Sequence, residues 1–230
     1  MRIDADGLHY KDLNEQIRAA ISDGETDFDI VNVQGQRYIG TALGDGVSLN
    51  IEGVPGQDLA AFMDGAYITV NGNVQDGVGN TMNDGRIIVH GDAGDICGHS
   101  MRGGTVMVEG LVGYRCGIHC KAYGDHYPVM VVGTTAGAYF GEYMAGGILT
   151  ILNTEDTDES PVGDYCGTGM HGGLMFIRGS IEDYQLGAEC GRDDLSDADW
   201  DLLQGIIADF CDVYGEDASR FVADQFVKIY

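Results

Sequence analysis

The run Tyr114–Pro128, YRCGIHCKAYGDHYP, brings two cysteines and two histidines, Cys116, His119, Cys120 and His126, into eleven residues. Thiolates and imidazoles are the ligands of zinc and haem iron, so convergence on a metal is the first chemistry to weigh. The spacing argues against it. C-x3-C with a histidine inside is not a zinc pattern, and haem attachment needs C-x-x-C-H where this chain has C-x-x-H-C. GVGNTM at Gly77 and GTGMHGG at Gly167 share the Gly-x-Gly of dinucleotide fingerprints but lack the third glycine and the strand–helix–strand setting. Asp64, Asp84, Asp92, Asp95 and Asp125 could supply paired carboxylates to a sugar-cleaving enzyme, although Asp64 and Asp84 occupy Asp-Gly turn positions.

Internal periodicity decides among these readings. Short apolar strands end on a marker residue at Gly53, Gly72, Gly91, Gly110, Gly133, Asn153 and Gly179, with an underlying period of nineteen lengthened by the insertions AYGDHYP and TEDTDES. Two and four residues before each marker the chain is apolar throughout: Ile51, Val70, Val89, Val108, Val131, Ile151 and Ile177, then Leu49, Ile68, Ile87, Val106, Val129, Leu149 and Met175. That alternation predicts strands with one face in a core. The intervening position, Asn50 to Phe176, is partly apolar, so a further element is expected to cover part of the outer face.

A second glycine follows each marker, at Gly79, Gly98, Gly117, Gly141, Gly167 and Gly187, and these are the expected structural turn positions. The residue before it is Val78, Cys97, Cys116, Phe140, Cys166 or Leu186, and three residues beyond it stand Met82, Met101, Cys120, Met144 and Met170. Cys116 and Cys120 therefore read as core residues of two apolar columns. His119 falls in a variable polar slot, and His126 in an insertion. Units this short cannot bury their own apolar face, so they must stack as a parallel β-helix of about seven coils, roughly 34 Å long at a strand spacing of about 4.8 Å. Nineteen is not a multiple of six, which argues against the left-handed hexapeptide helix.

Helical periodicity flanks the repeats. Leu13, Ile17, Ala20 and Ile21 share one face of a helix expected to be capped at Asp12 and Glu15, and Ser196 with Asp199 opens a second helix through Trp200, Leu203, Ile206, Ile207 and Phe210. DASRFVADQFVKIY reads as a final helix. The expected divisions are residues 1–45 for the helix and lead-in, 46–192 for the repeats and 193–230 for a helical C-terminal segment.

The 37 acidic and 12 basic residues give a formal charge of −25, which disfavours nucleic acid and anionic membranes as partners. No segment approaches the roughly 20 apolar residues of a membrane span, and no signal peptide is evident, so a cytoplasmic protein is expected, its six cysteines reduced. The 37 glycines are about twice the usual share and demand many tight turns.

DLNEQIRAAISDG, GQRYIGTALG, VPGQDLAAFMDG, VQDGVGNTMNDG, GDAGDICGHSMRGG, VGYRCGIHCKAYGD, GEYMAGGILTIL and GTGMHGG, spread from about Asp4 to about Gly179, closely resemble the C-terminal GxGxG domain of the glutamate synthase large (alpha) subunit. The resemblance implies a right-handed parallel β-helix that packs between a glutaminase (amidotransferase) domain and an FMN and iron–sulfur synthase domain. Its role there is architectural, with no catalytic, cofactor-binding or metal-binding residue on this chain and with FMN and the cluster on partner subunits. It further implies a stand-alone subunit of a split, archaeal-type enzyme making glutamate from glutamine and 2-oxoglutarate. Cys120 stands where the family pattern has Met, and Ala138 where it has Asp. The same β-helix is the C subunit of formylmethanofuran dehydrogenase, the competing identity; a stand-alone sugar-active enzyme is the reading from a different class.

Overall fold

The computed structural model describes all 230 residues. Nine strands pair in chain order, each parallel to the next: β1 (Arg2–Asp4), β2 (Asp27–Gln34), β3 (Ser48–Val54), β4 (Asp64–Asn71), β5 (Asp84–Val89), β6 (Thr105–Val108), β7 (Val129–Val132), β8 (Ala145–Ile151) and β9 (Gly172–Arg178). Sequential parallel pairing with one strand per nineteen or so residues is a parallel β-helix. Six turns of chain separate the seven marker strands β3 to β9, against the expected seven coils. β2 pairs with β3, so the ladder begins ahead of residue 46.

The coil interior is a single apolar core. Leu49, Ile68, Ile87 and Val106 stack in one column, and Ile51, Val70, Val89 and Val108 in the next, all buried. In β7 the register differs from the sequence expectation by one residue. Val106 pairs with Met130 and Met130 with Leu149, so Met130 and Val132 enter the core while Val131 points outward. Gly133 is the cause of the slip: its N–H donates to Val108, as that of Glu109 donates to Val89, whereas Thr134 donates to Gly110, as Gly110 does to Gly91. Gly133 thus occupies the slot of Glu109, and it is glycine there because the Glu109 carbonyl and the Phe210 ring leave no room for a Cβ. A further column that the periodicity reading missed, Val74, Ala93, Val112, Ala136 and Val162, closes the next corner of the coil.

α1 (Tyr10–Ser22) buries Leu13, Ile17 and Ala20 against the first coils. Its cap is His9, whose side chain accepts from Lys11 N–H, three residues ahead of the cap suggested by Asp12 and Glu15. α2 (Asp197–Tyr214) starts at the expected Ser196–Asp199 capping box and ends on Gly215 in the left-handed conformation. It lies on the outer face of the later strands, where Leu203, Ile207 and Phe210 pack on Ile88, Met107, Val131 and Phe176. Where α2 does not reach, that face is polar: Asn50 donates to Asp29, and Asn71 to Asn50.

The C-terminal segment is not the helix its composition suggests. Two short 3-10 turns, Ala218–Arg220 and Ala223–Gln225, lead into β11 (Phe226–Ile229), which pairs antiparallel with β9 and carries β10 (Arg192–Asp194) on its other side. The open edge of β9 explains this: its unpaired N–H and C=O groups gain a full ladder from a strand and nothing from a helix. The outermost strands, RID and RDD, are three residues long and charged, which discourages further strand addition.

Two predictions follow from this packing. Thr150, on the outer face between Val131 and Phe176, is fully buried and its hydroxyl has no hydrogen-bond partner. Thr150→Val should therefore raise stability by about 1 kcal/mol in urea denaturation. Lys228 Nζ lies 2.8 Å from Asp199 Oδ2, tying β11 to the start of α2, and this bond, with that from Ser196, lowers the Asp199 pKa from 3.8 to about 2. A depressed carboxyl contributes stability above its unfolded pKa and loses it as pH falls through the folded one. The Asp199→Asn variant should accordingly melt below the wild type at neutral pH, and the gap should close as pH falls from about 4 toward 2.

Candidate functional site

Each coil returns on itself through a turn with three left-handed residues at alternate positions: Gly77, Gly79 and Thr81 in one coil, then Ile96, Gly98 and Ser100, then Arg115, Gly117 and His119, then Tyr139, Gly141 and Tyr143, then Tyr165, Gly167 and Gly169. The N–H groups of the three left-handed residues point in alternate directions. The central N–H donates to the coil before, as Gly98 to Val78 at 2.7 Å and Gly117 to Cys97 at 2.8 Å. The flanking ones donate to the coil after, as Ile96 to Tyr114 at 2.8 Å and Ser100 to Ile118 at 2.8 Å. The G-x-G stretches are this device. Gly187 ends the series: it keeps the bond to Cys166 without a left-handed φ.

The central position faces the core. A Cβ on Gly117 would meet Leu149 Cδ1 at 2.5 Å, and one on Gly98 would meet Met130 Cε at 2.3 Å. The flanking positions face solvent and carry bulky residues at φ between 51° and 65°, among them Ile96, Tyr139, Tyr143 and Tyr165.

Seen in this frame, the four residues of the Cys/His run separate. Cys116 and Cys120 are fully buried in the core, the thiol of Cys120 donating to Gly98 O at 3.2 Å. Burial pushes the Cys97 and Cys120 pKa values up to about 12 and that of Cys116 well upward, so none of the three offers a thiolate at neutral pH. His119 lies exposed on the turn, its ring stacked on Tyr143 at 5.4 Å and 9° and edge-on to His99 at 5.9 Å. Burial, and then the neighbouring His119, lower the His99 pKa. His126 sits in the insertion, 2.6 Å from Asn83 O. No three His, Cys, Asp or Glu side chains gather in a geometry to hold a metal ion.

The aspartates also disperse. Asp64 and Asp84 are ladder neighbours at a strand start, where Asp84 accepts from Gly85 N–H. Asp92 and Asp95 work as staples between coils. Asp92 Oδ1 accepts from Leu111 N–H at 2.9 Å and Asp95 Oδ1 from Tyr114 N–H at 2.8 Å, while Asn73 and Asp76 do the same one coil earlier. Each staple lies over a glycine of the next coil: Cβ atoms on Gly91, Gly94, Gly110 and Gly113 would fall within 2.4 Å of its oxygen. The nineteen-residue spacing of Asn73 with Asp92 and of Asp76 with Asp95 was the available signal for this function. Asp125, in the insertion, joins neither group.

What the turn edge does expose is aromatic and cationic. Tyr139 and Tyr165 stack at 4.9 Å and 17°, and the Arg115 guanidinium lies 4.3 Å above Tyr139 while also pairing with buried Glu142. Beside His119 and Tyr143 is a hollow of about 300 Å³ that Ser100, Arg102, Lys121 and Ala145 complete.

Three comparisons bear on this chain. Its residues 11–230 match the model of the family described as the GXGXG motif. It is 44% identical over 215 residues to an uncharacterised protein of Methanocaldococcus jannaschii, covering 91% of this chain and 82% of that one. Its fold is similar to that of a chain in the crystal structure of the formyltransferase/hydrolase complex of Methylorubrum extorquens with methylofuran, with a TM-score of 0.61 at 21% identity over 86% of this chain and 70% of the other. The left-handed triplet with its central glycine, repeated along the coils, together with a family match over nearly the whole chain, makes this protein a member of the GXGXG motif family, to which the C-terminal domain of glutamate synthase belongs.

Proposed function

We propose that this protein is a non-catalytic β-helix subunit that joins a glutaminase to an FMN and iron–sulfur synthase subunit in a split glutamate synthase of the cytoplasm. The observation that carries the reading is the commitment of the chemistry-bearing side chains to the ladder itself. Cys116 and Cys120 fill core columns, and Asp92 and Asp95 staple one coil to the next. Among the side chains left free are surface aromatics and cations, which are contact-forming groups. The sequence resemblance supplies the partners, and FMN and the cluster belong to them in this reading.

The test mixes the purified chain with the glutaminase and synthase subunits of the same organism. Glutamine-dependent glutamate formation should require the chain, and the chain alone should have neither glutaminase activity nor bound flavin. Full activity of the two partners without it would overturn the proposal. In the assembled enzyme, Cys116→Val and Cys120→Met should retain the rate, because neighbouring coils hold Val78, Met101 and Met144 in those slots. A lost rate with an intact fold would place chemistry on those thiols. Association instead with formyltransferase and hydrolase subunits would favour the formylmethanofuran dehydrogenase-like alternative, for which the shared fold is the support.

A further inference from the structure

We propose that the left-handed turn edge, from Tyr38 to Tyr165, is the docking face for a partner subunit whose contacting surface is rich in carboxylates. This rests on the scaffold reading above and assigns the face it uses.

The first observation is strain. A non-glycine residue in the left-handed region costs about 1–2 kcal/mol, and bulky side chains are the least common there. Tyr139, Tyr143 and Tyr165 hold φ values of 65°, 53° and 63° in columns that accept Gly77 or Gly169 in other coils. The cost is not recovered in the core, because Tyr143 and Tyr165 are 46% and 52% exposed. Strain kept at a surface, where glycine is available to the same slot, points to a use for the side chain. Stacking of Tyr139 on Tyr165 and of His119 on Tyr143 fixes the rings in advance, which lowers the entropy cost of covering them.

The second observation is where the free cations lie. Of the twelve lysines and arginines, Arg86, Arg115, Arg178, Arg192, Arg220 and Lys228 form ion pairs with acidic side chains. Of the remaining six, only Arg2 is away from this edge. Lys11 and Arg18 line a hollow with Tyr38, Thr41 and a single acid, Glu15, at its first turn, and Arg37 stacks against Tyr38. Arg102 and Lys121 share a slot in consecutive coils, their N–H groups bonded to Met82 O and Met101 O, and so lie about one strand spacing, about 4.8 Å, apart along the rod. Like charges in adjacent strands repel. In a chain with 37 acidic residues the hollow around Arg102 and Lys121 contains none. A carboxylate-bearing surface resolves that repulsion, and it is the one kind of partner for which the molecule as a whole, at −25, is electrostatically unsuited.

The experiment measures binding of the full chain to the glutaminase and to the synthase subunit separately, by sedimentation or calorimetry at low and high salt. Wild type should bind one of them in a salt-sensitive way. Arg102→Glu with Lys121→Glu should weaken that complex about tenfold or more, while Arg2→Glu leaves it unchanged. Tyr143→Gly should weaken it too, yet melt no lower than wild type, since the turn is relieved of strain; a purely structural tyrosine would give the opposite pair of results. If the edge variants bind as wild type does, the edge is not the docking face and the scaffold reading stands. If wild type binds neither subunit, the scaffold reading fails and takes this proposal with it.

Discussion

The structure depends on one backbone device: an N–H that points back to the preceding coil, flanked two residues away on either side by N–H groups that point forward. Gly79 bonds to Leu59 while Gly77 bonds to Asp95 and Thr81 to His99, so one short turn is held to both neighbours at once. A strand ladder alone would tolerate slippage along its length. The turn does not, because moving any coil by one residue would exchange left-handed for right-handed positions and aim every N–H at the wrong coil. The nineteen-residue period is the number of residues needed to bring that triplet back into register.

From this constraint the composition follows. The central residue of the triplet has its Cα against the core, which leaves no space for a side chain in most coils; Ala60, with φ 60°, is the largest residue the position holds. The stretch leading into the turn is fixed by the Asx staples, whose oxygens occupy the space a Cβ would need on the next coil. Glycine abundance is thus the result of two separate crowding problems, one inside the coil and one between coils. The insertion before β7 is accommodated because it leaves the chain between this turn and the adjoining core column: the slots on both sides resume with the spacing of the other coils.

Much of this was legible in the sequence, and the failures share a cause. Inward columns, the Ser196 box and the core status of Cys116 and Cys120 could be read because they depend on residue type repeated at a fixed interval. Gly133 misled because a glycine in the slot of Glu109, where the Glu109 carbonyl and then the Phe210 ring leave no room for a Cβ, has the same letter as the marker glycines one slot further on. The column of residues before the second glycine, with Cys116 and Phe140 twenty-four apart, held the correct spacing. β11 was unreadable for a related reason: its conformation is set by the open edge of β9, a partner distant in sequence, and not by its own four residues.

The same geometry separates folding from recognition along the chain. In every turn the central residue is constrained by the core and its two neighbours are constrained only in φ, so the neighbours can vary without disturbing the ladder. That freedom is used unevenly: one flanking column runs Tyr38, Asp58, Gly77, Ile96, Arg115, Tyr139 and Tyr165 from coil to coil, and the rings accumulate toward the later coils. Those later coils are also the ones whose outer sheet face α2 covers. The helix therefore covers the outer apolar face at the end of the rod where the turn edge is most aromatic, while the rings of Tyr143 and Tyr165 on that edge stay exposed.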